Sequence, residues 1–510
     1  MNVRVRSAVL VGIEGIPVDV EVDVYPGIGH FDIVGLPETA VRESKVRVLS
    51  ALRNLGYRAH TRWVTVNLAP ADVRKHGSLY DLPVALGVLA CLEAFPPEAI
   101  QGMLILGELS LDGEIRPVQG VLPMVAAARE QGTREVLVPE ANGAEAALVQ
   151  GVQVRTARDL QDLIDALAGR RPLGVAEPVA RDASGRHFGG RAADLAEVRG
   201  QGHVKRALEV AAAGRHNLLM VGPPGSGKTM LARRLPGLLP EMTEAECLEA
   251  TKVHSVAGLL RGRASLLRDR PFRAPHHTAS AAAIAGGGSR PRPGEISLAH
   301  QGVLFLDELP EWRREVLEVL RQPLEEGRVT ISRAQAVVTW PADILLVAAM
   351  NPCPCGWLGD PRHACRCSVP EVARYRARLS GPLLDRFDIH VEVPAVPYRD
   401  LAGGPPGEPS QVVRQRVERA VGIQRQRLGP EGPGFNGRME PAQVRQHCRI
   451  PPEASRLMEA AVERLGLSAR AVDRVLKVAR TIADLDASEE IRVVHVSEAI
   501  QYRMLDRASP

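Results

Sequence analysis

The sequence predicts a multidomain α/β protein made of a mixed α/β domain, a domain with a parallel sheet and a small all-α domain. The first observation is size, because 510 residues with a hydrophobic fraction of 45% are enough for several domains with separate cores. The second is that strand-like apolar segments alternate with helical patterns between residues 192 and 396. The third is that runs rich in proline and glycine interrupt these patterns at 169–191 and near 398–410. We therefore expect domains at 1–168, 192–396 and 397–510, with a linker at 169–191.

The first domain, residues 1–168, mixes two apolar patterns. Residues 2–6, 18–24 and 63–68 alternate apolar and polar side chains as half-buried strands do, whereas residues 83–92 form one apolar run. The first six residues also lack the apolar core of a secretory signal peptide. These features indicate a mixed α/β domain.

The second and third domains differ in the period of their apolar residues. Apolar strand candidates recur in the second domain at 217–221, 302–306, 344–350 and 389–393, separated by helical patterns. Such alternation is typical of a parallel sheet wound with helices. In the third domain residues 411–427 and 454–484 have helical spacing, which predicts an all-α lid.

The amino-acid composition limits the classes of molecule that the protein is expected to bind. With only 3% aromatic residues, extended base-stacking platforms are not expected, while a net charge of +4 permits nucleic-acid contact without establishing it. No run of about 18 apolar residues occurs, so no membrane partner is expected. Seven cysteines without an export signal indicate a reducing compartment, and the expected location is the cytoplasm.

Residues 222–229 carry the clearest chemical motif. They read Gly-Pro-Pro-Gly-Ser-Gly-Lys-Thr, fit the pattern G-x-x-x-x-G-K-[ST], follow an apolar strand and lead into a helical pattern at 230–235. The glycines let backbone N–H groups surround phosphates, Lys228 brings charge to the β- and γ-phosphates, and Thr229 reaches Mg²⁺. The alternative, a glycine-rich turn with a chance Lys-Thr pair, does not account for the flanking strand and helix. The motif predicts ATP with Mg²⁺ as the ligand.

Two further strand ends complete a predicted hydrolase site. The strand at 302–306 ends in Asp307, which can hold Mg²⁺, and Glu308, which can orient the attacking water. Asn351 ends the strand at 344–350 and can align the same water. The residues predicted to bind the nucleotide and its metal are Gly222, Pro223, Pro224, Gly225, Ser226, Gly227, Lys228, Thr229 and Asp307.

The segment at 380–388, Ser-Gly-Pro-Leu-Leu-Asp-Arg-Phe-Asp, resembles the part of AAA+ ATPases of the magnesium-chelatase and replicative-helicase branch that supplies an arginine finger. The resemblance implies that Arg386 acts across a subunit interface, where such a finger is worth about 10³ to 10⁵ in turnover. The competing interpretation is an ordinary ion pair with a neighbouring aspartate. Arg470, which opens a predicted helix, resembles the sensor-2 arginine of the same branch, with Arg474 as the alternative.

Read as a whole, the chain resembles the YifB/ComM family of magnesium-chelatase-like AAA+ ATPases nearly from end to end. The motifs that carry this resemblance lie at 27–37 (Gly-Ile-Gly-His-Phe-Asp-Ile-Val-Gly-Leu-Pro), 67–72, 273–278 (Arg-Ala-Pro-His-His-Thr), 351–356 and 476–485. The resemblance implies a hexameric ring of identical subunits that drives branch migration of DNA with ATP and helps incoming single strands integrate during transformation. Single-stranded and branched DNA are therefore the expected partners.

A predicted hairpin gives the sequence its own support for DNA contact. Residues 328–333 and 334–339 read as two strands, which would present Arg328 and Arg333 to phosphates inside a ring. An ordinary exposed hairpin fits the same pattern.

Four of the cysteines form two close pairs. Cys353 and Cys355 precede Cys365 and Cys367, and together they offer enough thiolates for a closed structural Zn²⁺ site. His363 could replace one ligand, and a loop with reduced thiols is the alternative. If zinc binds, it would order the loop beside Asn351.

The first domain resembles the fold of Lon-type (S5-like) proteases, notably at 107–118. Val84 and Leu122 stand where the serine nucleophile and its lysine would be, so a non-catalytic domain is favoured, although Ser78 leaves the alignment open. Two alternatives to a DNA motor therefore stay open: a chelatase-type motor that remodels a protein partner, and a Lon-like peptidase or regulatory binding module.

Overall fold

The computed structural model describes residues 2–176, 193–260, 265–288, 291–333, 336–399, 407–430 and 432–503. It contains two compact units. Unit 1 comprises Met1–Gly185, Cys247–Leu267 and Ser332–Trp340, and unit 2 comprises Arg186–Glu246, Arg268–Ile331 and Pro341–Pro510. Residues 177–191 of the predicted linker lie outside the described residues. The domain boundaries drawn from the sequence stay predictions.

Unit 1 is built on an eight-stranded mixed sheet with the order β10-β9-β8-β5-β1-β2-β4-β3. Its strands are β1 (Asn2–Val11), β2 (Glu14–Pro26), β3 (His30–Val34), β4 (Arg62–Ala69), β5 (Leu104–Ile105), β6 (Glu108–Leu109), β7 (Ile115–Arg116), β8 (Glu135–Pro139), β9 (Gln153–Ala157) and β10 (Gly174–Val175), of which β6 and β7 form a separate pair. Its helices are α1 (Thr39–Arg42), α2 (Ser44–Asn54), α3 (Asp81–Cys91), α4 (Val121–Glu130), α5 (Glu140–Ala146) and α6 (Leu160–Leu167).

The apolar run at 83–92 lies in helix α3, which is buried along almost its whole length. This helix packs on β1 and β2. A side chain at Gly87 would meet Val22, with its Cβ 2.5 Å from Val22 Cγ2, so a glycine is needed for the helix to approach the sheet this closely. Continuous apolar character here reflects a buried helix and not a strand.

Unit 2 is built on a five-stranded sheet with the order β12-β15-β18-β11-β19, in which every pairing is parallel. Its strands are β11 (Leu218–Val221), β12 (Phe272–Arg273), β13 (Gly286–Gly287), β14 (Arg292–Pro293), β15 (Val303–Leu306), β18 (Leu345–Met350) and β19 (Ile389–Glu392); β13 pairs with β14 outside the main sheet. A separate two-stranded sheet is formed by β16 (Arg328–Arg333) and β17 (Ala336–Pro341), and most of β17 belongs to unit 1. The predicted mixed α/β fold with a parallel sheet is confirmed.

The remaining helices lie between residues 202 and 501. They are α7 (Gly202–Gly214), α8 (Lys228–Ala232), α9 (Glu244–Val256), α10 (Ala281–Ala285), α11 (Glu295–Leu298), α12 (Arg314–Val319), α13 (Arg321–Glu326), α14 (Val369–Arg376), α15 (Gly381–Leu384), α16 (Ser410–Leu428), α17 (Pro441–His447), α18 (Pro452–Leu465), α19 (Ala469–Leu485) and α20 (Val493–Gln501). Most of α9 belongs to unit 1. Within the described residues, none of the helices is long and apolar enough to cross a lipid bilayer.

Both faces of the five-stranded sheet are covered, which explains the unbroken apolar strands. Leu218 and Met220 of β11 belong to a core cluster that includes Val475 and Val478 of helix α19, whereas Leu219 belongs to a second cluster on the other face. Helix α19 thus packs against one face of the five-stranded sheet. Because the strands are parallel, all their carboxyl ends lie along one edge, which we call the carboxyl edge, and their first residues lie along the amino edge.

Candidate functional site

The glycine-rich loop lies at the carboxyl edge of the sheet, directly after the central strand β11. Its first amide, Gly222 N–H, donates to Met350 O at 3.2 Å, which ties the loop to the end of the neighbouring strand β18. Gly225 and Gly227 have φ values of +76° and +90°, a conformation that turns successive amides toward one point and that side chains disfavour. The loop therefore has the backbone of an anion-binding site.

Lys228 begins helix α8 and is buried in this loop. Its Nζ donates to Gly222 O at 2.7 Å and Pro223 O at 2.9 Å, and it lies 3.3 Å from Asn351 Oδ1. Burial lowers the pKa of Lys228, while the charge of Asp307 opposes that shift. The ammonium group is thus held inside the loop by neutral oxygens, which phosphate oxygens can replace.

Thr229 and Asp307 meet across the loop. Thr229 Oγ1 donates to Asp307 Oδ2 at 2.7 Å, and Asp307 comes immediately after strand β15. The carbonyl oxygen of Asp307 also accepts a hydrogen bond from Trp312 Nε1 at 2.8 Å, which fixes the turn after the strand. Two oxygen donors on rigid elements at this spacing are suited to a hard cation such as Mg²⁺.

Glu308 follows in a left-handed backbone conformation, with φ +51° and ψ +47°. Such a conformation is costly for a residue with a side chain and is concentrated at functional sites. The turn leaves the carboxylate half-exposed, and Glu308 Oε2 lies 3.0 Å from His277 Nδ1. The carboxylate predicted to orient the attacking water therefore lies against a histidine at the same edge of the sheet.

Asn351 ends β18, as predicted, and the structure brings it together with the loop through the contact of its Oδ1 with Lys228. Lys228, Thr229, Asp307, Glu308 and Asn351 thus converge at the carboxyl edge.

Arg386 lies elsewhere. It precedes β19 and is therefore at the amino edge, separated from the glycine-rich loop by a strand of four residues, roughly 13 Å. Its Nη1 donates to Pro382 O at 2.5 Å and its Nη2 pairs with Glu325, so the side chain is only 12% exposed. The predicted alternative partners, Asp385 and Asp388, are not the residues that it pairs with in the described structure. Arg386 cannot serve the site of its own chain in this arrangement.

The two candidates for the sensor-2 role have different surroundings. Arg470 is exposed on the first turn of α19, and within the described residues no hydrogen bond or ion pair joins it to the glycine-rich loop. Arg474, one turn later, is largely buried and its Nε lies 3.4 Å from Asp388 Oδ1. Neither residue reaches Lys228 here, so both roles stay predictions.

The four cysteines come together, as the spacing predicts. Cys353 Sγ lies 3.4 Å from Cys355 Sγ and 3.7 Å from Cys365 Sγ, and all four sulfur atoms, including that of Cys367, lie within 4.8 Å of one another. A tetrahedral zinc with Zn–S bonds of about 2.3 Å needs sulfur atoms about 3.8 Å apart, so the geometry fits zinc. The ring of His363 lies against that of Trp357, with centroids 4.1 Å apart and the planes tilted by 32°, and His363 is not part of the four-thiol cluster.

The predicted hairpin forms from β16 and β17. Arg328 is exposed and its Nε pairs with Glu326 at 3.0 Å. The side chain of Arg333 and residues 334–335 lie outside the described residues. The structure therefore places Arg328 on a surface and leaves its predicted DNA contact a proposal.

Unit 1 contains no nucleophile at the positions matched to the Lon-type serine and lysine. Val84 in α3 and Leu122 in α4 are both buried apolar residues. Ser78 lies near α3, where its hydroxyl donates to Glu108. The described contact of Ser78 is thus with a carboxylate and not with a lysine base of the kind that Lon-type chemistry uses.

Two residues at the site were not singled out from the sequence. His277 belongs to the Arg-Ala-Pro-His-His-Thr motif at 273–278, and the available signal was its position just after β12, the strand beside β15. Gln201 Nε2 donates to Ser226 O at 2.9 Å and Pro394 O at 3.1 Å, which braces the glycine-rich loop. No pattern in the sequence marks a single glutamine for this role.

Comparison with known proteins gives matches along the whole chain. The family model described as magnesium chelatase, subunit ChlI, matches residues 194–401, a second ChlI model matches residues 20–142, and the ChlI C-terminal model matches residues 407–503. The chain is 44% identical over 506 residues to competence protein ComM of Haemophilus influenzae, which covers 99% of this chain and 97% of that protein. It is 43% identical over 504 residues to YifB of Escherichia coli, again covering 99% of this chain and 97% of that protein. It is also 25% identical over 154 residues to Lon protease 2 of Bacillus subtilis, covering 29% of this chain and 27% of that protein.

Proposed function

The chain belongs to the YifB/ComM family of magnesium-chelatase-like AAA+ ATPases, and on this premise we propose that it is an ATP-driven motor that assembles into a hexameric ring and drives branch migration of DNA. The observation that carries the ATPase part is the convergence of Lys228, Thr229, Asp307, Glu308 and Asn351 at one edge of a parallel sheet. Parallel sheets bind nucleotides at this edge because the loops after the strands meet there.

Each residue has a role that its position allows. The amides of the glycine-rich loop surround the β-phosphate, and Lys228 exchanges the carbonyl oxygens of Gly222 and Pro223 for phosphate oxygens. Glu308 orients the attacking water and accepts its proton, while Asn351 aligns that water against the γ-phosphate. Hydrolysis needs little covalent chemistry from the protein, so positioning on rigid strand ends is the main contribution.

The donor set also fits the metal that accompanies ATP. Thr229 Oγ1 and Asp307 Oδ2 are hard oxygen donors 2.7 Å apart on two separate elements. They would hold Mg²⁺, directly or through water. When bound, Mg²⁺ neutralises charge that develops on the phosphates.

The position of Arg386 supports the proposed assembly into a ring. It lies at the amino edge, away from the site of its own chain, and it is a candidate to complete the site of a neighbouring subunit. A contact between the amino edge of one subunit and the carboxyl edge of the next is head-to-tail, and such interfaces form rings when the rotation between subunits closes and filaments when it does not. Its present partner, Glu325, would have to release it when the interface forms. The sensor-2 role of Arg470 or Arg474 is proposed on the same basis.

DNA as the substrate rests on two supports. A relative covering nearly the whole chain is described as a competence protein, which fits a role in transformation or recombination. The exposed Arg328 on the β16–β17 hairpin offers a cation for phosphate contact that is independent of base sequence. Single-stranded and branched DNA are the proposed partners, with Arg333 as a second contact.

The test is ATP hydrolysis by the full chain without DNA, with linear duplex DNA and with a four-way junction, at low and at physiological salt. We expect the junction to stimulate turnover most, and stimulation to fall with salt as phosphate contacts weaken. Arg328→Ala should reduce the stimulation and leave turnover without DNA unchanged, and Arg445→Ala, an exposed arginine in helix α17, is the matched control. Absence of any stimulation by DNA at low salt would contradict the DNA part of the proposal.

The family match to magnesium-chelatase models gives the second candidate, a motor that remodels a protein partner. In that case chelatase partner subunits, and not DNA, should raise ATP turnover. We assign no peptidase activity to unit 1, since Val84 and Leu122 occupy the matched positions. A structural Zn²⁺ at the four-thiol cluster is also part of the proposal, since the sulfur spacing fits it.

A further inference from the structure

Asn217 is the residue immediately before β11 at the amino edge of the sheet, and it makes contact with both neighbouring strands. Its Oδ1 accepts a hydrogen bond from Leu346 N at 3.0 Å, and its Nδ2 donates to Arg386 O at 3.0 Å. One amide side chain thus joins β18 to the segment that carries Arg386.

The backbone of Asn217 is engaged by the same segment. Asn217 N donates to Asp388 Oδ2 at 3.2 Å, and Asn217 O accepts from Asp388 N at 2.9 Å and Ile389 N at 3.1 Å. Three strand starts are therefore held at one residue, and removal of the side chain leaves the peptide NH of Leu346 and the carbonyl of Arg386 without these partners.

Asp388 brings the C-terminal helices into the same group of contacts. Asp388 Oδ2 lies 3.4 Å from His216 Nδ1, Asp388 Oδ1 lies 3.4 Å from Arg474 Nε, and His216 Nε2 lies 2.8 Å from Thr481 Oγ1. The backbone after Arg386 is therefore fixed from two sides, by Asn217 and by helix α19.

Two of the three strands joined at Asn217 end at the residues of the nucleotide site, and the third begins just after Arg386. β11 leads to the glycine-rich loop with Lys228, β18 leads to Asn351, and β19 begins just after Arg386. The sheet thus links the site that a subunit completes for itself with the arginine that it offers to its neighbour.

We infer that Asn217 is a positioning residue for the arginine finger: its amide fixes the backbone of Arg386 against β11 and β18 so that the guanidinium meets the γ-phosphate in the neighbouring subunit. This inference rests on the proposed function, because it needs Arg386 to act between subunits. Asn217 contacts no nucleotide itself, since it lies at the opposite end of β11 from the loop.

The effect of a substitution can be estimated from the geometry. Without the amide, the finger segment loses one of the hydrogen bonds that set its position, and a displacement of about 1 Å can cost about a hundredfold in turnover. We expect Asn217→Ala to lower kcat by roughly tenfold to a hundredfold. The affinity of this variant for ATP should stay within about twofold of wild type, because the glycine-rich loop lies at the carboxyl edge and Asn217 at the amino edge. Asn217→Asp keeps an acceptor for Leu346 N, but it places a carboxylate oxygen opposite Arg386 O, where no hydrogen bond can form. This variant should therefore behave like Asn217→Ala.

The decisive measurement is complementation in mixed rings. Lys228→Ala subunits lack a working site but carry an intact finger, whereas Asn217→Ala subunits carry an intact site and a displaced finger. A mixture of equal parts should regain ATP turnover, to roughly a quarter of wild type with random assembly, because each productive site needs one intact site and one intact finger at a head-to-tail contact. Each variant alone should stay low.

A second pair of subunits separates the inference from the proposed function. Arg386→Ala mixed with Lys228→Ala tests the finger itself. If that pair complements and the Asn217→Ala pair does not, Asn217 has another role and the inference is overturned while the motor proposal stands. If neither pair complements, the action of Arg386 between subunits fails, and the inference falls with it.

His300→Ala controls for a merely structural effect. His300 Nδ1 accepts a hydrogen bond from Asp343 N at 3.0 Å, also near the amino edge, but this contact is not with the finger segment. It should lower thermal stability about as much as Asn217→Ala and keep kcat within about twofold. Loss of kcat in His300→Ala equal to that in Asn217→Ala would overturn the inference.

Discussion

Gly356, in the loop between the cysteine pairs, is the residue through which this loop should support ATP binding. It has φ +85°, and a Cβ at this position would lie 2.7 Å from Pro224 Cδ in the glycine-rich loop. Gly359, in the same cysteine loop, has φ +82°, and a Cβ there would meet nothing within 4 Å. The two glycines therefore share a conformation and differ in whether a side chain would press on the nucleotide site.

The magnitudes follow from this difference. In both variants an alanine at positive φ costs about 1 to 2 kcal/mol, which should lower the melting temperature of a unit of this size by roughly 1 to 3 °C. In Gly356→Ala alone, relief of the overlap to an ordinary contact of about 3.5 Å must move Pro224 or the cysteine loop by roughly 0.8 Å. A proline ring is rigid, so the loop around the phosphates moves with it. We expect ATP affinity and turnover to fall by roughly tenfold to a hundredfold.

The assay is titration of each full-length variant with a fluorescent ATP analogue in the presence of Mg²⁺, together with steady-state hydrolysis and thermal unfolding. Gly359→Ala should bind ATP within about twofold of wild type although it loses similar stability. If Gly356→Ala binds ATP as well as Gly359→Ala does, the cysteine loop does not support the glycine-rich loop and the reasoning is wrong.

Glu308→Gln should bind ATP normally but hydrolyse it about 10²-fold to 10⁴-fold more slowly, because the carboxylate that accepts the proton is lost while the glycine-rich loop is unchanged. The rate of phosphate release measures this, and an unchanged rate would show that Glu308 does not have this role. Purified protein should contain one zinc per chain by elemental analysis, and Cys355→Ser should lose it with a lower melting temperature; a metal-free, equally stable wild type would contradict the site. Burial opposes ionisation of Asp388, yet the hydrogen bond and charge of His216 and the charge of Arg474 hold the pKa of Asp388 below its ordinary value. The contribution of the Asp388 carboxylate to stability is therefore present above the unfolded-state pKa of about 3.9 and is lost as pH falls through the lower folded-state pKa. Asp388→Asn should consequently make the free energy of unfolding less dependent on pH below about pH 4. An unchanged pH profile of urea unfolding would refute this.

The sequence predicts the sheet of unit 2 well because its strands are short apolar runs that end in polar residues. The predicted strand at 217–221 is observed at Leu218–Val221, and that at 389–393 at Ile389–Glu392. Each difference is one residue: Asn217 is polar and precedes β11, and Val393 follows β19, although its N–H still donates to Val221 O at 2.7 Å. The same apolar runs also predicted which residues form the candidate site, since the residues that follow parallel strands meet at the carboxyl edge.

Other features depend on contacts that local patterns do not contain. The helix predicted at 230–235 ends at Ala232, and residues Leu235–Leu238 form a 3₁₀ turn that includes Pro236, which cannot donate a backbone hydrogen bond. The helical stretch at 454–484 is two helices, broken where Gly466 adopts φ +65°. The role inferred for Asn217 rests on Leu346 and Arg386, more than 100 residues away, so no spacing marks it.

The separation of Lys228 and Arg386 has a consequence for assembly. Since the two lie at opposite edges of one sheet, no folding of a single chain that keeps this sheet can bring them to the same phosphate. If both act on one ATP, that ATP must lie between two subunits whose contacting surfaces differ. When two subunits meet through unlike surfaces, one of them still has a free amino edge and the other a free carboxyl edge. A two-fold dimer therefore cannot satisfy such contacts, and only a closed ring or a filament can. The turnover of the purified protein should therefore rise with protein concentration until rings form. A monomer with full, concentration-independent turnover would show that the arginine is not needed.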